Sequence, residues 1–308
     1  MDAAARQHVA AGVAKAVAPD AHVAALRWHA DRWWWTDPDS AALYLWNAAG
    51  AHAGTKTAAP LRSRLPDSVT AFAFCQSGRV LLAQAKWLCF ADLAVPPLEG
   101  LGRRPPQPAV AVDPAEPRTA ISDGSTDRAG NFVFGTAAAP SRTMGGTAIG
   151  SFYQYSSQHG LRRLALPTVA AAHSICFSPD GRIMYFSDAS TRRIQQCDYD
   201  AGAARVANVR LFAELADGEP LGATIDSAGC VWSAQAAGSA AGVGRLVQYA
   251  PDGSALRSTA LASSHPIRPA FGGPELNQLL VGAAGGMHVI DGGGARGLPD
   301  ALFDDIKT

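Results

Sequence analysis

The chain has 308 residues, 48% of them hydrophobic, and its 26 basic and 26 acidic side chains cancel to a net charge near zero. This length supports a large buried core, and the lack of a basic field argues against nucleic acid or a membrane surface as a partner, which leaves small molecules. The Ala-rich residues 1–20 lack the basic-then-apolar order of a secretion signal, so they predict an arm or short helix ahead of a single domain, 21–308.

The cysteines and the apolar runs indicate where such a chain resides. There are five cysteines, an odd number with no CxxC pair, and most lie inside apolar strand-like runs. This pattern is typical of buried free thiols in a reducing compartment. The sequence contains no run of about 18 apolar residues, so it predicts no membrane-spanning helix. The sequence therefore predicts a cytoplasmic protein.

Short apolar runs joined by tight turns follow each other along the whole chain. The predicted strands fall into successive groups: 26–28, 32–37 and 43–47; 69–75, 80–83 and 87–92; 131–136, 149–155 and 161–166; 175–177, 183–186 and 194–199; 222–234, 245–249 and 255–261; 269–281 and 287–290. The clearest hairpin turns at Ser178-Pro-Asp-Gly181, where Pro179 presets φ and Gly181 accepts the positive φ of an Asp-Gly turn.

The spacing of these groups predicts the fold. Hairpins start at intervals of roughly 45 to 55 residues, and a repeat of this length with short antiparallel strands is the signature of a β-propeller. We therefore predict an all-β, six-bladed propeller with four antiparallel strands per blade. The last group shows only three clear strands, so the N-terminal segment is expected to supply the fourth and close the ring. The Pro-rich residues 96–108 predict a linker between the second and third blades.

In a propeller, the loops that precede the innermost strands open on one face, at the central channel. Ligand contacts are therefore expected from the residues just before each innermost strand: Ala24, Thr70, Ser122, His173, Leu221 and Arg268.

Several motifs resemble the SMP-30/gluconolactonase family. Phe177-Ser-Pro-Asp-Gly-Arg182, Tyr185-Phe-Ser-Asp188 and Asp198-Tyr-Asp200 resemble its fourth blade. Asp123-Gly124 with Gly135-Thr136 resembles its third-blade motif, and Phe271-Gly-Gly-Pro274 its sixth. The resemblance implies a six-bladed propeller that binds one divalent cation in the channel and hydrolyses sugar lactones or related esters. It also implies metal ligands of Glu, Asn and Asp from different blades, and a further Asn that contacts the substrate.

The family's ligand positions hold other residues in this chain. The Glu of the family falls at Ala24, its two Asn at Ser122 and His173, and its Asp at Leu221. Ala and Leu carry no lone pair, so the sequence predicts that the family's metal site is absent and that no cofactor is needed. A divalent metal is then expected only at a different site. His22, His173 and His265 all precede innermost strands and would form such a site if they converge.

Other residues near the channel have two interpretations each. His173 would act as general acid or base near neutral pH, or it fills space and bonds a carbonyl. Arg268 would hold a carboxylate or oxyanion of the substrate, or it pairs with a neighbouring acid. Asp123 would orient His173 or supply a carboxylate, or it bonds turn amides. Trp28 begins the predicted innermost strand of its blade and is expected to line the pocket. The other expected substrate contacts are Ser122, His22, Ala24, Leu221 and His265.

Three functions remain open from the sequence. The first is a divergent lactonase-like enzyme that acts on a small lactone, ester or related cyclic substrate by metal-independent acid/base chemistry at His173. Within that hypothesis the reaction is a hydrolysis of a lactone or ester, or else an isomerisation, an elimination or a condensation. The second is a non-catalytic propeller that binds a small molecule. The third is a metal-dependent sugar lactonase with a rearranged site.

Overall fold

The fold is an all-β propeller of six antiparallel sheets. The computed structural model describes residues 22–47, 59–93, 104–138, 146–239 and 242–306. The strands of the first three blades are β1 (Ala24–His29), β2 (Arg32–Asp37), β3 (Ala42–Trp46) and β4 (Leu61–Arg64); β5 (Val69–Phe74), β6 (Val80–Gln84), β7 (Trp87–Ala91) and β8 (Gln107–Ala111); β9 (Thr119–Thr126), β10 (Phe132–Ala138), β11 (Phe152–Ser156) and β12 (Gly160–Arg163).

The second half of the chain repeats the same arrangement. Its strands are β13 (Ala172–Phe177), β14 (Ile183–Asp188), β15 (Arg193–Asp200) and β16 (Arg205–Glu214); β17 (Glu219–Ile225), β18 (Val231–Ala236), β19 (Arg245–Tyr249) and β20 (Ala255–Ala260); β21 (Pro266–Gly272), β22 (Gln278–Ala283) and β23 (Gly286–Ile290). A 3₁₀ turn, Ala189–Thr191, joins β14 to β15. In each blade the first strand is innermost, and β1 packs beside β21 to complete the ring.

Tight turns fix the register of each hairpin. In the β13–β14 turn, Gly181 has a φ of 72°, and its N–H donates to the carbonyl of Ser178 at 2.9 Å. The Ser178 hydroxyl bonds the Asp180 carboxylate at 2.6 Å and accepts the Ile183 N–H at 3.0 Å. An L side chain at Gly181 would be strained by this positive φ. The turn predicted from Pro-Asp-Gly is confirmed.

Of two predictions about the ends of blades, one is partly wrong and the other lies outside the described residues. The expected linker at 96–108 is partly wrong, because Gln107 and Pro108 begin β8, the outer strand of blade two. Pro is tolerated there because an edge strand has an unpaired side. In blade six the described sheet has three strands, and the predicted fourth strand and the N-terminal arm lie outside the described residues.

The core consists of apolar clusters that lie between neighbouring blades, one cluster for each of the six interfaces. Strand alternation sends side chains to both faces of each sheet, so each blade contributes to two interfaces. Trp33 and Trp35 are fully buried, as is Trp232 in a later blade. The interpretation of the Trp33–Trp35 run as core packing is confirmed.

The C-terminal residues 291–306, called the tail here, cross one end of the channel. The tail bonds blade five where Ser227 N–H donates to the Arg296 carbonyl at 2.8 Å. It then reaches blade two, where Phe303 N–H donates to the Phe74 carbonyl at 2.7 Å, and blade three through Asp304 N–H and the Gly130 carbonyl at 2.8 Å. The opposite end, where the innermost strands begin, is called the mouth.

All five cysteines are buried free thiols, as the sequence predicted. Burial raises the pKa of Cys75, Cys176 and Cys197 to about 12. Within the part of the chain that the structure describes, no helix has the length and apolar character needed to cross a membrane.

Candidate functional site

Each innermost strand is irregular near the mouth. The pairing register shifts at Ala24/Arg27, Val69/Ala71, Gly135/Thr136 opposite Ser122, His173/Cys176, Pro220/Gly222 and Pro266/Arg268. Bulges of this kind bend a strand and re-aim its side chains. Ser174 follows His173 with a φ of 61°, an uncommon conformation for a residue other than glycine. The irregular positions therefore form a ring at the mouth, at the residues that the sequence singled out.

Hydroxyl groups tie this ring together from blade to blade. Thr70 Oγ1 donates to the Ile121 carbonyl at 2.9 Å, and Ser122 Oγ donates to the Ala172 carbonyl at 2.8 Å. Ser187 Oγ donates to the Pro220 carbonyl at 3.0 Å and lies 2.9 Å from Ser174 Oγ. The three bonds to carbonyl oxygens each join one blade to the next, and the bond between Ser187 and Ser174 lies within blade four. Ser122 is therefore engaged in holding blade three to blade four.

An ion pair spans the channel. Arg268 of blade six donates through Nη1 to Asp123 Oδ1 of blade three at 2.6 Å, and the two side chains are 9% and 10% exposed. The Asp123 carboxylate also accepts the N–H groups of Gly124 at 2.8 Å and Ile175 at 3.1 Å. These contacts agree with the structural interpretation of each residue: Arg268 pairs with an acid, and Asp123 accepts hydrogen bonds from backbone amides. A guanidinium carries five N–H donors, and the bond to Asp123 uses one of them.

A second arginine lies beside this pair, toward the tail. Arg27 of β1 donates to the carbonyls of Phe72 at 2.7 Å and Gly124 at 3.0 Å, and to Asp300 of the tail at 2.9 Å. Burial lowers the pKa of the Arg27 guanidinium, the carboxylate of Asp300 works against that shift, and the nearby charge of Arg268 adds to it. Two cations and two carboxylates therefore fill the middle of the channel.

The family's metal does not fit the residues present at its ligand positions. Ala24 is 6% exposed and offers a methyl group, and half-buried Leu221 offers an isobutyl group. Divalent cations bound by this kind of site take oxygen ligands, and neither side chain supplies one. Across the described ranges, no three His, Cys, Asp or Glu side chains are grouped so that they would hold a metal.

His22, His173 and His265, the suggested three-histidine site, are not grouped in this way among the described residues. His22 Nδ1 lies 2.7 Å from the exposed carboxylate of Asp39 in its own blade, on the rim of the mouth. The His265 ring is near Ser264 Oγ, 3.5 Å away. Both His22 and His265 contact the backbone of Ala284, a proximity that their spacing in the sequence does not reveal.

Among the remaining predicted residues, His173 and Trp28 occupy different surroundings. His173 is half-buried near the start of β13, where its backbone pairs with Ser187. Trp28 lies at the other end of β1 and packs edge-on against Trp33, with ring centroids 5.1 Å apart. This contact assigns Trp28 to the interface between blades one and six, so the expectation that it lines the mouth is not supported.

Three functional candidates were missed by the sequence reasoning. Arg27 and Asp300 are distant in sequence, and only the path of the tail brings them together. Glu219 begins β17, two residues before Leu221, and is half-buried. Burial raises the pKa of its carboxyl group, and the charge of nearby His265 works against that shift. The signal for Glu219 was present, since it is an acid just ahead of the strand predicted to begin at residue 222.

Comparison with known proteins gives consistent results. Residues 24–285 match the family described as SMP-30/Gluconolactonase/LRE-like region. L-arabinolactonase of Azospirillum brasilense is 38% identical over 78% of this chain and 73% of its own length. Pentonolactonase XacC of Haloferax volcanii is 31% identical over 61% of this chain and 60% of its own, so the chain spans somewhat over half of that relative.

Solved structures agree on the architecture. A luciferin-regenerating enzyme superposes with a TM-score of 0.82 at 20% identity, covering 93% of this chain and 96% of that one. A protein described as the calcium-binding regucalcin of Agrobacterium tumefaciens gives a TM-score of 0.77 at 20% identity, covering 92% and 94%. At this level of identity the likeness establishes the six-bladed fold and no more.

Proposed function

Because this chain belongs to the SMP-30/gluconolactonase/LRE-like family, we propose that it hydrolyses a small sugar lactone at the mouth of its channel by metal-independent chemistry. The observation that carries the proposal is the 38% identity to an L-arabinolactonase, since it extends over 78% of this chain. A second relative is a pentonolactonase, which supports a lactone as the substrate class.

In this proposal His173 moves the proton. Its neutral imidazole takes a proton from a water molecule as the water oxygen attacks the lactone carbonyl carbon. The tetrahedral intermediate then collapses, the bond from carbon to the ring oxygen breaks, and His173 returns the proton to that oxygen. The product is a hydroxy acid, which ionises in solution. No metal is needed to balance these steps.

Arg268 stabilises the charge that develops in the intermediate. The buried bond to Asp123 fixes the guanidinium in the channel, and one of its other N–H groups donates to the oxyanion in this proposal. Asp123 acts through Arg268, so it is a positioning residue. Ala24 and Leu221 give the site two apolar walls beside these polar groups. Ser122, His22 and His265 complete the polar rim.

Lactone turnover by metal-stripped protein tests the proposal. The full chain is passed over a chelating resin and assayed with pentono- and gluconolactones by acid release, with spontaneous hydrolysis subtracted. We expect turnover that persists in EDTA, and a loss in kcat of about 10²–10⁴-fold for His173→Ala, the usual contribution of a general base. The matched control is His159→Ala, which removes an exposed histidine from the turn before β12.

Other outcomes separate the alternatives. Activity that disappears in chelator and returns with a divalent cation would favour a metal-dependent lactonase with a rearranged site. A protein that turns over none of the lactones, but whose Tm rises when one of them is added, would be a binding propeller. Unchanged turnover in His173→Ala removes the assigned role of His173.

A further inference from the structure

A small polar cavity lies inside the channel, between the innermost strands and the tail. Its volume is about 40 Å³. Three arginines and three hydroxyl-bearing residues are among those that line it: Arg27, Arg128, Arg268, Ser125, Thr126 and Thr224. None of Ala24, Ser122, His173 and Leu221 lines it. The cavity therefore lies deeper in the channel than these four residues and shares only Arg268 with the proposed lactone site.

The charges around this cavity do not balance. Arg27 pairs with Asp300 at 2.9 Å, and Arg268 pairs with Asp123 at 2.6 Å. Arg128 has no carboxylate partner among the described residues, and it donates through Nη1 to the Pro299 carbonyl at 3.0 Å. Its Nε is buried and has no hydrogen-bond partner in that part of the chain. Three arginines and one carboxylate, Asp300, thus line the cavity, and Asp123 pairs with Arg268 from outside the lining, which leaves an excess of one positive charge.

Both paired arginines are deeply buried, with Arg27 at 5% and Arg268 at 7% exposure. Two guanidinium groups that are held close together away from water repel each other, and this repulsion is only partly offset by the two acids. A bound anion would relieve it and would satisfy the donors that the protein leaves unmatched.

We propose that this cavity binds one small monovalent inorganic anion, of the size of chloride, between Arg27, Arg128 and Arg268. The volume decides the class of ligand. A buried water needs about 10–15 Å³ of such volume, so the cavity holds about three waters or one small ion. A sugar acid is too large. A monovalent ion cancels the excess charge, whereas a multiply charged phosphate would reverse it.

Thermal unfolding of the full-length chain tests the proposal without any use of activity, so its result is independent of the proposed lactone hydrolysis. The protein is unfolded in sodium chloride and in sodium methanesulfonate at equal ionic strength. A specific site that is occupied at ten times its Kd raises the Tm in chloride by about 3 °C. Arg128→Gln removes the unmatched charge and should abolish this chloride-specific shift.

The matched control is Arg182→Gln, an exposed arginine of the β13–β14 turn, which should retain the shift. A crystal soaked in sodium bromide provides a measurement that does not depend on any variant folding, because an anomalous bromide peak among the three guanidinium groups would locate the ion. An absent peak, an equal Tm in both salts, or a chloride shift retained by Arg128→Gln would overturn the proposal.

Discussion

Arg268 and Asp123 are separated by 145 residues in the chain, and they meet across the channel in a buried pair. Removal of one partner leaves the other charge buried and unpaired, which commonly costs about 3–5 kcal/mol. We therefore expect Asp123→Asn to lower the free energy of unfolding in urea by about that amount. Replacement of both residues by apolar ones of similar size, Asp123→Leu with Arg268→Met, should recover only part of the loss, because the buried N–H groups of Gly124 and Ile175 then lose their acceptor.

An exposed ion pair serves as the control for that measurement. Arg193 and Glu214 lie 3.1 Å apart, and both side chains are 57% exposed. Solvent screens such pairs, so Glu214→Gln should change the free energy of unfolding by at most about 1 kcal/mol. Equal losses for Asp123→Asn and Glu214→Gln would mean that the pair across the channel is not buried in solution.

Glu219 predicts a specific dependence of stability on pH. Its pKa is raised in the folded protein by burial, so folding favours the protonated form. The stability that it contributes is full below its unfolded pKa and is lost as the pH rises through its folded pKa. Glu219→Gln should therefore stabilise the protein near pH 8 and leave its stability nearly unchanged near pH 3.5. The measurement is Tm against pH for both proteins.

Glu275→Gln is the matched control, because Glu275 is 65% exposed and pairs at the surface with Arg296. The Tm of Glu275→Gln should stay close to the Tm of the unmodified protein at every pH. If Glu219→Gln destabilises the protein at pH 8, its carboxylate makes a favourable contact in the folded state, and the assigned burial penalty would be wrong.

The tail holds one end of the propeller together through its contacts with several blades. Phe303 is fully buried and packs between blades two and three, with its ring stacked 5.5 Å from Tyr155. Truncation of a buried Phe leaves a cavity and costs about 3–5 kcal/mol. We expect Phe303→Ala to lower the free energy of unfolding in urea by that amount. Ile306→Ala should lower it little, because Ile306 is 58% exposed. Similar values for both variants would show that the tail is not docked.

The strands could be predicted from the sequence because their signals are local. The Pro179-Asp-Gly181 turn and the apolar runs on either side of it specify a hairpin without reference to any other blade. Strand β8 was missed because Pro108 is typical of a linker. A proline is compatible with this strand only because β8 lies on the outer edge of its sheet. The bond between Arg268 and Asp123 and the one between Arg27 and Asp300 depend on how the ring closes and how the tail returns. No spacing along the chain encodes those distances.

The whole ring is closed by contacts between blades, so its stability is expected to be shared among them. The five cysteines report on this property, because Cys75 and Cys89 lie in blade two, Cys176 and Cys197 in blade four, and Cys230 in blade five. Each is at most 9% exposed, and burial raises the pKa of every one of these thiols. A thiolate that is rarely formed and rarely exposed reacts slowly.

Thiol titration with the disulfide reagent DTNB follows from this arrangement. The native protein should react with less than one equivalent over minutes, and the protein in denaturant with all five. Along a urea series the thiols of the three blades should become reactive together at the unfolding midpoint, because no blade has a complete core without its neighbours. In Phe303→Ala, Cys75 should react ahead of the other four, since its backbone pairs with Phe303. If the blade-four thiols react well below the midpoint in the unmodified protein, the blades unfold independently and the ring is not one cooperative unit.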